Sequence, residues 1–159
     1  MTDRTRNVLL LIPAGKEPEQ AIRTAIQLAK ERQGTLIALV VIEPEVAQRV
    51  SSTLSDIGFV GEHVGNQVQQ ALLREYRALS EKLLQALAER ARSEGVPVTP
   101  LIESGDAGEI CGRVIRAQQV GTAVLVAEKR SWLTRFLSRG AAVRLPALAG
   151  CEVRVMEED

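Results

Sequence analysis

Short apolar runs alternate along the chain with longer segments whose apolar residues recur every three or four positions. Residues 8–12 (VLLLI), 35–42 (TLIALVVI) and 122–127 (TAVLVA) carry almost no polar side chains. Such runs predict strands buried on both faces, as in a parallel sheet covered by helices. Residues 96–102 predict another strand, but Pro97 and Pro100 cannot donate to a ladder, so it should lie near a sheet edge. Residues 151–156 alternate and predict a last strand. The intervening segments read as helices. Glu17, Pro18 and Glu19 open the first, where the dipole favours acids. Ile22, Ala25, Ile26 and Ala29 form its apolar stripe, and Gly34 is expected as its C-cap. Residues 68–93 predict a long helix with Val68, Leu72, Tyr76, Leu79, Leu83, Leu87 and Ala91 on one face, ended by Gly95. Asp106 is the expected N-cap of a third helix carrying Ile110, Val114, Ile115 and Gln118.

This alternation predicts an α/β fold: a single-domain, open, parallel five-stranded sheet with helices on both faces, spanning residues 1–159. Two segments stand outside the pattern. Residues 43–67, punctuated by Pro44, Gly58, Gly61 and Gly65, read as an irregular insertion or lid. Residues 128–150 follow the fourth strand and turn charged, then aromatic, before Gly140. Ligands of open parallel sheets sit beyond the carboxyl ends of the strands, so a site is expected there. Trp132, Leu133, Phe136 and Leu137 fall at helical spacing. They fit a short helix covering the sheet, or a patch for a protein partner flanked by arginines.

Composition narrows the function. Twenty basic and twenty acidic residues balance, which argues against nucleic-acid binding. Aromatic residues make up 3%, so the core must be aliphatic. No apolar run approaches the roughly 20 residues of a membrane span. The first run is shorter than a secretory signal core and Pro13 ends it, so it reads as a strand of a cytoplasmic protein. His63 is the sole histidine, too little for a histidine metal site or a catalytic triad. Cys111 and Cys151 read as buried structural thiols. Glu17/Glu19, Glu43/Glu45 and Glu103/Asp106 are paired acids, but two carboxylates alone do not define acid–base chemistry, and no catalytic or metal-binding residue is assigned.

The opening NVLLLIPAGKEPEQAIRTAIQLAKERQGTLIALVVI, the middle LIESGDAGEICGRVIRAQQVGTAVLVAE and the close Gly140-Ala141 with CEVRVM together resemble the universal stress protein family. The likeness covers nearly the whole chain. It implies an adenine nucleotide alpha hydrolase-like, Rossmann-like sheet and a homodimer, with the terminal strand from Cys151 to Met156 pairing across it. One group of that family binds ATP through Gly-x2-Gly-x9-Gly-Ser/Thr after the fourth strand, helped by an Asp after the first. Another group lacks the pattern.

Set on that pattern, Ala127 and Arg130 replace the first two glycines, Gly140 matches the third, and Ala141 replaces the hydroxyl. Ala14 stands where the acid would be. Side chains at 127 and 130 restrict φ/ψ and fill space beside the phosphates. Pro146 would interrupt a following helix. The resemblance therefore implies a binding or regulatory module that is not an enzyme and holds no ATP by the usual glycines, so no cofactor is expected. The alternative is an ATP- or AMP-binding stress protein with a remodelled, arginine-containing phosphate site. That degenerate site would comprise Pro13, Ala14, Gly15, Val41, Ile42, Ala127, Arg130, Gly140, Ala141 and Ala142. Weak ATP hydrolysis ranks last, because no Walker-type loop occurs.

Overall fold

The computed structural model describes residues 6–43, 62–127 and 151–157. Their elements run β1 (Asn7–Pro13), α1 (Glu19–Arg32), β2 (Leu36–Ile42), α2 (Glu62–Ser93), β3 (Val98–Ser104), α3 (Ala107–Ala117), β4 (Val120–Ala127) and β5 (Glu152–Glu157). All strands pair in parallel, in the order β3-β2-β1-β4-β5. The predicted five-stranded α/β sheet is present. Pro97 and Pro100 did mark an edge, since among the described residues β3 has a neighbour on one side only and Pro100 faces solvent.

Alternate residues of the central strands feed two separate cores, as the period of two requires. Val8, Leu10, Ile12, Leu36, Ala38, Val40 and Val124 pack with Ile22, Ala25, Ile26 and Ala29 of α1 and Leu84, Leu87 and Ala91 of α2. Leu9, Leu11, Ile37, Leu39, Val41, Ala123 and Leu125 pack with Ile110, Cys111, Val114 and Ile115 of α3. The chain steps β1 to β2 to β3 in one direction, so right-handed crossovers put α1 and α2 on one face. It then jumps back past β1 to β4, which puts α3 on the other. The reversal point lies between β1 and β4.

Three local predictions need correction. The left-handed residue ending α1 is Gln33, with φ 54°, and not Gly34. Gly34 is needed for space: a Cβ there would lie 1.9 Å from the Arg6 carbonyl oxygen. The long helix starts at Glu62 instead of residue 68, so residues 62–67 of the expected irregular segment, His63 included, are helical. Leu79, expected in the buried stripe, is 45% exposed. Leu87 and Ala91 face the core as expected, while one and two turns earlier the buried residues are Leu84 and Ser80, one position round the helix from Leu83 and Leu79. Ser80 Oγ satisfies itself by donating to the Tyr76 carbonyl at 2.6 Å.

The Asp106 cap forms as expected, accepting from the Glu109 amide at 2.9 Å. At the amino pole, Asn7 donates to the Gln118 carbonyl at 2.8 Å and accepts from the Thr35 amide at 3.2 Å. Arg32 at the end of α1 bonds Thr122 of β4 and, at 3.3 Å, Glu152 of β5. These links tie the last strand to the first crossover. Among the described residues no helix is long and apolar enough to cross a membrane.

Candidate functional site

The β1 and β4 strands part company at their carboxyl ends. Their register stops at Leu11 opposite Leu125, although β1 continues to Pro13 beside Val41 and β4 to Ala127 beside Glu157. A crevice therefore opens at the reversal point, where α/β sheets of this kind take ligands. Its first wall is the turn Pro13-Ala14-Gly15-Lys16, closed by a bond from the Lys16 amide to the Pro13 carbonyl at 3.2 Å. Gly15 has φ +83°, which the third position of such a turn demands. A Cβ there would meet the Tyr76 ring at 3.1 Å, so the turn is seated against α2.

The amide of Ala14 donates to the Val41 carbonyl at 3.3 Å, and the Gly105 amide to the Ile42 carbonyl at 3.1 Å. Pro13, Ala14, Gly15, Val41 and Ile42 are thus brought together at one pole, as the sequence predicts. Their roles are less open than a ligand contact would need. Val41 and Ile42 are buried, Val41 within the α3-side core, and half-buried Ala14 packs against the α1–α2 core. The backbone of Ala127 ends β4 at the same pole. Arg130, Gly140, Ala141 and Ala142, and the patch from Trp132 to Leu137, lie outside the described residues, as do residues 44–61 of the expected insertion or lid.

A second concavity was not foreseen from the sequence. Between the β1–α1 turn and α2 lies a groove of about 560 Å³. Pro13, Ile22, Val40, Leu79, Leu83 and Leu87 give it an apolar lining, and Lys16, Glu17, Glu19, Lys82 and Arg90 bring charge to it. The 32 residues of α2 span about 48 Å, twice the roughly 23 Å of a seven-residue strand. The helix runs antiparallel to the strands, so its N-terminal half overhangs their carboxyl ends and walls this pole.

Electrostatics at the rim centre on Glu19. Arg90 grips it with two bonds, at 2.9 and 3.2 Å, a forked geometry that joins α2 to the first turn of α1. Arg90, and secondarily Arg23, hold the Glu19 carboxyl below its ordinary 4.5. A carboxylate lowered in the folded state stabilises the protein above its unfolded pKa, and that contribution fades as pH falls through the native value. Thermal melts of wild type and Glu19→Gln are expected to differ near neutral pH and to converge below about pH 4.5. A difference persisting unchanged through acid would contradict the pairing.

The two thiols are quiet. Burial pushes the Cys111 thiol up to about 12, with Cys151 adding to the shift. Cys151, half-buried at the start of β5, is also raised by burial. Both are free. Among the described residues no group of three His, Cys, Asp or Glu side chains is placed to hold a metal ion.

The sequence model of the universal stress protein family matches residues 4–156. No curated protein matches the chain. Among solved structures, a universal stress protein family member from Burkholderia pseudomallei is 17% identical, with a TM-score of 0.66, covering 98% of each chain. The universal stress protein UspA from Lactobacillus plantarum is 15% identical, with a TM-score of 0.59, over 96% of this chain and 97% of that one. A family protein from Arabidopsis thaliana with AMP bound is 11% identical, with a TM-score of 0.54, over 96% and 92%.

Proposed function

Because the chain belongs to the universal stress protein family, we propose that it acts as a binding or regulatory module of that family and not as an enzyme, with a crevice that takes no ATP through the family's glycine pattern. The observation that carries this reading is the first loop. It is Pro13-Ala14-Gly15, and Ala14 turns its methyl group to the α1–α2 core where the ATP-binding pattern has a carboxylate. The substitutions at Ala127, Arg130 and Ala141 point the same way. The outer edge of β5, unpaired among the described residues and carrying Val155 at 40% exposure, suits the homodimer that the resemblance implies. A cytoplasmic setting accords with the reading.

The alternative is a nucleotide site rebuilt around Arg130. The parted ends of β1 and β4 favour it, and the Arabidopsis relative holds AMP. Thermal melts with ATP, ADP, AMP and cAMP in the presence of Mg²⁺ separate the two. A ligand bound at a hundred times its Kd adds about 2.7 kcal/mol to stability. For a chain of this size that raises Tm by about 5–10 °C. A shift under about 1 °C at millimolar nucleotide, with no phosphate release above a protein-free control, is the expected result. Saturable stabilisation at micromolar ATP would establish the alternative instead.

A further inference from the structure

The α1–α2 groove lies on one face of the sheet and is lined by side chains that do not belong to the β1–β4 crevice, apart from Pro13, Gly15 and Lys16 of the shared turn. We propose that this groove binds a small amphipathic monoanion, with an aliphatic body on its apolar lining and a carboxylate held at the rim by Lys16 and Lys82. Its volume of about 560 Å³ falls in the range of small-molecule sites. Leu79 and Val155 are the large apolar residues left exposed among the described ones, and Leu79 lines this groove. An aliphatic ligand would cover it.

The charge around the rim selects the head group. Arg90 and Glu19 neutralise one another. Lys16, Lys82 and Glu17 make no ion pair among the described residues. Two cations against one carboxylate leave a single net positive charge, which one anionic group satisfies. AMP, ADP and ATP each bring more negative charge than that. A cationic head would meet the two lysines. The proposal does not depend on whether the crevice beside it holds a nucleotide.

Octanoate is the probe, titrated calorimetrically into the full chain, with 1-octanol and octyltrimethylammonium as the neutral and cationic counterparts. The expected result is saturable binding of octanoate, about tenfold tighter than octanol, and none of the cation. Lys82→Glu should weaken octanoate by about tenfold, and Leu79→Asn should weaken octanoate and octanol alike. Both positions are exposed, so the variants should melt with wild type. Absence of saturable octanoate binding overturns the proposal. So does equal affinity for octanoate and octanol, indifference to Lys82→Glu, or displacement of octanoate by AMP, which would put the ligand in the crevice.

Discussion

Gly34→Ala is expected to cost the fold about 3 kcal/mol or more, the upper end of what overpacking does. The physical reason is placement, not chain freedom. The new Cβ would stand 1.9 Å from the Arg6 carbonyl oxygen and 2.4 Å from its carbon. Those are backbone atoms at the entry to β1, whose Val8 amide bonds the Thr35 carbonyl at 3.0 Å. Neither side can swing away without pulling β1 out of register with β2. For a chain of this length the loss corresponds to a Tm lower by about 10 °C. Gly95→Ala is the control. Its φ of +79° is unfavourable for alanine, but nothing lies within 4 Å of the new methyl, so the cost should stay near 1 kcal/mol. Equal melting temperatures for the two variants would remove the steric account.

Gly34 also shows where sequence reading stops. A glycine after a helix signals a left-handed cap, and the pattern has no means of saying that Gln33 takes that conformation while Gly34 makes room for a carbonyl from 28 residues earlier. The strands were legible for the opposite reason. β1, β2 and β4 are buried on both faces, so their apolar runs are continuous and leave little choice. The start of α2 was illegible because residues 62–67 carry Gly65 and few apolar side chains. The turn Pro13-Ala14-Gly15 could be placed at the candidate site because the family resemblance sets Ala14 at the position of an acidic residue after the first strand. The α1–α2 groove could not. It gathers Lys16 and Ile22 into one lining with Lys82 and Leu83, residues brought together only by the handedness of two successive crossovers.

Restoring the family's phosphate-binding pattern is expected to convert the crevice into a nucleotide site. The variant combines Ala14→Asp, Ala127→Gly, Arg130→Gly and Ala141→Ser. Glycines at 127 and 130 let backbone N–H groups approach phosphate oxygens, and serine returns a hydroxyl donor. The scaffold for this is present: β1 and β4 are already parted beyond Leu11 and Leu125, and the Gly15 turn is held by Tyr76. At millimolar ATP the variant should gain about 5–10 °C in Tm, against under about 1 °C for wild type, which corresponds to roughly a hundredfold excess of ligand over its Kd. Arg130→Gly alone separates the two readings of the site. If the wild-type side chain obstructs the phosphates, the single change leaves binding unchanged or improves it. If Arg130 is itself the phosphate ligand, wild type binds ATP measurably and the single change loses about tenfold or more of that affinity, since a charged hydrogen bond of about 1.5–3 kcal/mol disappears. The combined variant binding no better than wild type would show that obstruction at positions 127 and 130 is not what keeps ATP out.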